Sequence, residues 1–257
     1  MTNMEPTLLA TTNPHPRDAC ITFDEGPHIY TINGDSGFTS VTTWNHSHFR
    51  EFDADAIITK MMSGPNWSNS KYFGMTREQI KKAWDDNRDE AAQAGTKMHY
   101  DIECFYNGME VDNDSIEYSF FKAFRKDNPD LKPYRTEWMV WDAELRLAGS
   151  IDMVYEKPNG HLMIYDWKRS KGIVRNKRFE EYSTTECISH LPDTNYWHYS
   201  LQLNMYRSIL QRHYGKVVDE LRLVCLHPCQ RNYIVFDVPH LDEEIGNLLQ
   251  LRKQQLI

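Results

Sequence analysis

The spacing of apolar positions along this chain moves between a period of about 2 and one of about 3.6, and the changes outline its elements. "CITFDEGPHIYTI" alternates apolar and polar residues, which predicts a hairpin with Asn33-Gly34 supplying a turn. "SVTTW" and "DADAIITKMM" follow, the second predicting a short helix with Asp53 or Asp55 near its start. In "TREQIKKAWDDNRDEAAQA", Thr76 and Gln79 form a capping-box pattern ahead of a run of helix formers, and Gly95 is expected to interrupt that helix. "GTKMHYDIECFYNG" predicts another, with Met98, Ile102 and Phe105 at core spacing and Gly108 placed to end it. "DSIEYSFFKAFRKD" predicts a third, capped by Asp114 with Glu117.

The alternation then returns to that of strands. "RTEWMVW", "LRLAGSIDMVY" and "HLMIYDWK" predict three of them, the last two joined by Pro158-Asn159-Gly160. A long helix closing at Gly215, two more strands in "LRLVCL" and "YIVFDV", and an amphipathic C-terminal helix complete the chain. This order predicts an α/β (α+β) layout with a mixed central β-sheet flanked by helices. Residues 1–20 read as a flexible lead-in, and 21–257 as one domain with a helical elaboration near its N-terminus.

One strand pair, "GSIDMVYEKPNGHLMIYDWKRSK", breaks its own pattern. Strands avoid Asp, and acids on facing strands repel. A Pro-Asn-Gly connection suits a three-residue hairpin loop with Gly160 at positive φ. Lys157 then pairs with His161, and counting back sets Asp152 opposite Asp166. Alternation places Asp166 and Lys168 on one face and Trp167 on the other. A hard divalent cation held by both carboxylates and the Trp167 carbonyl would balance the acids, with Lys168 placed to bind a phosphate oxygen or orient a water. A salt-bridged hairpin in which Lys168 neutralises one acid is the alternative these residues leave open.

Charge narrows the choice. The net charge of −8 argues against a general electrostatic affinity for nucleic acid, so any such contact must be local. "KRSKGIVRNKR", residues 168–178, is one such place, with six basic residues and no acid. The five cysteines are scattered without a C-x-x-C, and Cys225 and Cys229 around His227 lack a second ligand pair, so neither a disulfide framework nor a zinc site is expected. No apolar run approaches a membrane span, no export or Arg-rich transit signal is evident, and no Walker-type loop is present. The expectation is an intracellular protein with reduced thiols, cytoplasmic in the first instance, from a viral, bacterial or organellar setting.

"GSID", followed fourteen residues after its Asp by "DWK", resembles the core of the PD-(D/E)XK nucleases. "GTKMH" and "QLNMY" complete the four-part pattern of the RecB-like exonuclease branch in the expected order. "SVTTW" and "HYDIE" are also similar to the mitochondrial genome maintenance exonucleases, which act on single-stranded DNA ends. The resemblance spans residues 39–206 and implies a restriction-endonuclease-like core over residues 90–240.

It further implies that Asp152, Asp166 and Lys168 are catalytic, and that His99, Asp152, Asp166 and the Trp167 carbonyl bind Mg²⁺ or Mn²⁺. Glu103, one turn after His99, matches an acid in some relatives and would reach a second metal or its water, or else form a salt bridge. Glu137 on the preceding strand is a further candidate. Gln202 and Tyr206 would contact DNA or brace the lysine, with ordinary packing as the plain alternative. Ser40 and Thr42 either donate to a phosphate or cap the helix that follows. Arg169, Lys171 and Arg175 would hold the DNA backbone, and Trp67, Tyr72 and Trp197 would either stack on unpaired bases or, as the plainer alternative for each, pack in the core. Several relatives carry four cysteines for an iron-sulfur cluster; Cys225 and Cys229 are too few, and no cluster is expected. The implied activity is exonucleolytic cleavage of DNA from ends, in replication, repair or recombination, beside a possible helicase or recombinase partner. A flap endonuclease and an inactive DNA-binding subunit of a helicase or recombinase complex are the alternatives.

Overall fold

The hairpin of β5 (Leu147–Glu156) and β6 (Leu162–Lys168) sets the frame of the sheet. Its loop closes as Pro-Asn-Gly predicts: Lys157 N donates to the His161 carbonyl at 2.8 Å, and Gly160, at φ 79°, donates back to Lys157 at 2.9 Å. The register therefore runs from Glu156–Leu162 to Met153–Tyr165. One more step would set Asp152 across from Asp166, and there the ladder stops.

The molecule is described by a computed structural model over residues 6–177 and 181–256. β1 (Ile21–Asp24) and β2 (Ile29–Ile32) form a separate antiparallel pair, and β4 (Lys132–Asp142) runs antiparallel along one edge of β5. The other edge carries two partners: β3 (Thr39–Ser40), parallel, at Leu147 and Ala148, and β6 at Met153 to Glu156. Between them residues 149–152, the GSID segment, have no strand partner on that edge. β7 (Val218–Cys225) lies parallel to β6, and β8 (Ile234–Val238) antiparallel to β7, completing a six-stranded mixed sheet. The α/β class with a mixed sheet is the one the strand and helix order predicts.

Helices cover both faces, so strands are apolar on both sides. On one face α2 (Val41–His46), α6 (Asn195–His213) and α7 (Asp242–Gln255) pack on Trp138, Ile151, Val154, Ile164 and Leu223. On the other, α5 (Ile116–Asp127) and the last turns of α4 (Arg77–Tyr106) pack on Met153, Tyr155, Tyr165 and Trp167. Ile151 and Met153 should share a face, being two apart. They join opposite cores instead, so the strand's alternation breaks at Asp152.

The chain divides into two compact units, Met1–Arg50 with Met98–Ile257, and Glu51–Lys97. In the smaller, α3 (Ala54–Met62) is capped by Asp53, whose carboxylate accepts Ala56 N–H at 2.9 Å. Thr76 and Gln79 form the predicted reciprocal cap of α4.

Four local expectations need correction. Gly95 does not interrupt α4, which is continuous. One glycine costs a helix about 1 kcal/mol relative to alanine, and strong helix formers flank this one. Phe105 is exposed while Tyr106 is buried, so the core face of α4 reads Met98, Ile102, Tyr106. Helix α5 is capped by Ser115, whose Oγ accepts Tyr118 N–H, rather than by Asp114. The lead-in is structured from Leu8 on: α1 (Leu8–Thr12) precedes a 3-10 turn at Pro16–Cys20, and Asp18 accepts from Arg135 at 2.7 Å and Trp138 Nε1 at 2.9 Å. Polar contacts rather than an apolar stripe fasten that segment, so hydrophobic periodicity does not announce it.

Candidate metal centre

Where β5 and β6 part, their side chains and one helix histidine converge. Asp152 Oδ2 accepts the Trp167 N–H at 2.9 Å, replacing the missing ladder bond. The same oxygen lies 3.5 Å from His99 Nδ1, and Glu137 Oε1 lies 3.6 Å from that nitrogen. His99 Nε2 sits 2.9 Å from the Trp167 carbonyl. A carbonyl can only accept, so Nε2 carries the proton, and the neutral ring then aims the Nδ1 lone pair at two carboxylates. Something positive must lie between them.

In the metal-free protein that charge is a second proton on His99. Burial opposes it, but Asp152 and Glu137 outweigh burial and raise the imidazole to about 9. The acids report the same crowding. Burial, reinforced by Asp166, pushes Asp152 up to about 7, with His99 opposing. Burial, reinforced by Glu137, pushes Glu103 up to about 7 as well. Burial and then Glu137 and Asp152 raise the Tyr30 phenol to about 12.

Lys168 is the second cation of the site. Its Nζ lies 2.7 Å from Asp166 Oδ2 and 4.5 Å over the Tyr199 ring. Burial opposes its charge, yet Asp166 and Asp152 raise its pKa, so it stays protonated. Asp166 is almost wholly buried, with the Lys168 ammonium as the partner of its Oδ2.

Glu137 occupies its place at a conformational cost, with φ 41° in the middle of β4. Ser150 Oγ donates to its Oε2 at 2.8 Å. Ligand atoms of His99, Glu137 and Asp152 all lie within 4.8 Å of one another, and no other such group of His, Cys, Asp and Glu occurs among the described residues. One imidazole nitrogen and two carboxylates fit a divalent cation, and this group could bind one. Of the residues expected to ligate, His99 and Asp152 fall in the three-residue group, the Trp167 carbonyl is engaged by His99, and Asp166 and Glu103 stand outside the group. Sequence reasoning left Glu137 a secondary candidate and passed over Ser150, although it lies inside GSID.

The residues expected to meet DNA divide into two sets. Gln202 Nε2 donates to Thr42 Oγ1 at 3.4 Å and to Tyr206 Oη at 3.3 Å, forming a polar row. Tyr206 fills the space over Gly149, where an added Cβ would lie 2.7 Å from Tyr206 Cε1 and Oη. The glycine of GSID and the tyrosine of QLNMY are thus two halves of one contact. Ser40 caps α2, accepting Thr43 N–H at 3.0 Å.

The basic run is largely tied to protein. Arg169 pairs with Glu117 at 2.7 Å, Arg175 donates to the Asp237 carbonyl at 3.2 Å and lies over Tyr196, and Lys177 donates to the Asp193 carbonyl at 2.7 Å. Lys171 is exposed, and Arg178 lies outside the described residues. Of the proposed stacking aromatics, Trp197 packs partly buried on the α6 core, while Trp67 meets Phe73 and Tyr72 meets Trp84 edge-on within the smaller unit. Cys225 donates to the Ser170 carbonyl, and His227 accepts the Cys229 N–H. No helix among the described residues is long and apolar enough to cross a membrane.

No family model and no curated protein matches the chain. Among solved structures, the chain is similar to SSO0001 at 13% identity and a TM-score of 0.36, over 87% of this chain and 78% of that one. It is also similar to a protein from Eubacterium rectale named "Putative exonuclease", at 13% identity and a TM-score of 0.32, over 58% of this chain and 68% of that one. At those TM-scores neither likeness assigns a fold or a function to this chain.

Proposed function

We propose that this chain is a metal-dependent nuclease of the PD-(D/E)XK, RecB-like type, hydrolysing phosphodiester bonds from DNA ends with a preference for single strands. The observation that carries the reading is the surplus of acid beside one lysine where β5 and β6 part: Glu137, Asp152 and Asp166 against His99 and Lys168. A bound Mg²⁺ or Mn²⁺ would supply a water of lowered pKa and polarise a phosphoryl oxygen.

The chain's own groups do the rest. His99 and Asp152, with Glu137, would hold the cation, with Asp166 beside them pairing with Lys168. Lys168, fixed between Asp166 and Tyr199, donates to a non-bridging phosphate oxygen and steadies the charge that gathers there. Gln202, Thr42 and Tyr206 line the approach with polar groups for the sugar-phosphate chain. Lys171 and Arg175 extend that track as backbone contacts, which makes binding salt-dependent. A role in replication, repair or recombination, with a helicase or recombinase as partner, follows from the same reading.

The test is purified protein with Mn²⁺ or Mg²⁺ on end-labelled linear and on circular single-stranded DNA, beside Asp166→Ala and Lys168→Ala. Degradation of linear DNA by the wild type alone is the expected result. Equal degradation by both variants would sink the nuclease reading, and cutting of circles would replace end-directed cleavage by endonucleolysis.

A further inference from the structure

The centre contains one backbone conformation that its sequence does not favour. Glu137 is a non-glycine residue at φ 41° inside an eleven-residue strand, where the chain on either side is paired with β5. The neighbouring pairs Thr136–Met153 and Trp138–Ile151 are in register, and the step between them, Glu137 to Asp152, is the one that drops out. For an L-residue with a long side chain the left-handed region is sterically unfavourable, and such residues concentrate where surrounding structure holds them for a purpose.

What the conformation achieves can be read from the side chain. It brings one Glu137 oxygen to 3.6 Å from His99 Nδ1 and hands the other to Ser150 Oγ at 2.8 Å. In an unbroken strand residue 137 would alternate regularly with its neighbours. Thr136 instead takes a hydrogen bond from Asn107 on α4, while Trp138 lies in the core beneath α6. Two residues two apart, which would share a face in a regular strand, thus occupy opposite faces, and Glu137 lies between them at the step across from Asp152.

We propose that Glu137 is a strained metal ligand: β4 is held in the left-handed region at this one residue so that its carboxylate, steadied by Ser150, completes the cation cradle with His99 and Asp152. The inference rests on the metal-dependent reading above and adds a cost to it. Without a cation the cradle combines backbone strain with acid repulsion. With one, the acids are neutralised and ligand binding to the native state offsets the strain. Ser150 is a positioning residue, acting through Glu137.

Glycine has no penalty at positive φ, alanine keeps it, and asparagine tolerates the region better than most residues. The experiment therefore compares Glu137→Gly, Glu137→Ala, Glu137→Asn and Ser150→Ala by thermal melting in EDTA and by calorimetric titration with Mn²⁺. In EDTA, Glu137→Gly and Glu137→Asn should melt above Glu137→Ala by about 2–4 °C. Glycine also loses more chain entropy on folding, which works against that result, so a higher melting point reads the strain directly. All three Glu137 variants should bind Mn²⁺ at least 10-fold more weakly than the wild type. Ser150→Ala should weaken it by about 10-fold, in line with the loss of one supporting contact.

Equal melting of Glu137→Ala, Glu137→Gly and Glu137→Asn would remove the strain. Wild-type Mn²⁺ affinity in Glu137→Ala would remove the ligand. Should Glu137→Gly fail to fold, the comparison of asparagine with alanine decides. The nuclease reading fails separately: a wild type that binds Mn²⁺ as described but cleaves no DNA would overturn that function and leave this inference standing.

Discussion

The two edges of β5 are made from the same residues and behave differently. Along the β4 edge the strand is paired over nearly its whole length, with only the Glu137–Asp152 step missing. Along the other edge it is paired at both ends and bare over Gly149 to Asp152. Pairing fixes position, and its absence leaves room for side chains to replace backbone partners, as the Asp152 carboxylate does for Trp167. Backbone pairing holds the first edge, and at the second a side chain stands in for a backbone partner.

The sharpest way to break that contrast is substitution on either side of it. Asp152→Asn keeps an acceptor for Trp167 but removes a ligand charge, and cleavage should fall by about 10³-fold, ~4 kcal/mol of transition-state stabilisation. Its metal-free melting temperature should not fall, because a crowded acid is gone. Ile151→Ala, one residue away in the closed core, should do the reverse, costing about 2–5 kcal/mol of stability in denaturant titration. Activity per folded molecule should stay within a few-fold. A variant pair that lost stability and activity together at both positions would dissolve the distinction.

Metal removal and pH test the open edge next. Asp152 and Glu103, both near 7 in the folded protein, start near 4 unfolded, so the native state holds extra protons between those values and loses stability as pH rises through them. His99, raised to about 9, contributes stability that is complete below its unfolded value and lost as pH climbs through 9. All three act in one direction. In EDTA, stability should fall continuously from about pH 4.5 to 9. With saturating Mn²⁺ it should rise from pH 5 to 8, because protons then compete with the cation for ligands. Identical melting curves with and without Mn²⁺ would mean that no ion binds.

Gly149 tests whether the bare edge is filled as closely as a core. Gly149→Ala drives a methyl into Tyr206 and should cost about 1–3 kcal/mol by urea unfolding. The smallest effect belongs to the periphery. Lys171→Ala should weaken DNA binding two- to three-fold at every sequence and lower the salt slope by about one. An unchanged slope would take that lysine off the DNA track.

The parts legible beforehand were those governed by local chemistry. Pro158-Asn159-Gly160 fixed the hairpin register from Glu156–Leu162 to Met153–Tyr165 because a three-residue loop leaves one close-packed solution, whereas the next step, Asp152 across from Asp166, is not paired. Caps at Asp53 and Thr76 were readable for the same reason. Arg169 read as a free base, yet its Glu117 partner lies on a helix 52 residues earlier, a pairing no local pattern encodes. Glu137 was harder still. Its strand reads as ordinary alternation, and its φ is set by Asn107, Ser150 and the two cores around it, all distant in sequence.

Trp167 serves the centre entirely through its peptide groups, the N–H to Asp152 and the carbonyl to His99, while its indole lies in the opposite core against Phe121 and Phe124 with an unbonded Nε1. Chemistry and packing at this position are therefore separately heritable. Any large apolar residue that fills the same volume could drift in without disturbing the centre, whereas the aspartate and lysine beside it have no such freedom. In a saturation library selected for activity, position 167 should accept Phe, Leu and Met while positions 166 and 168 stay fixed, a permissive site enclosed between two intolerant ones.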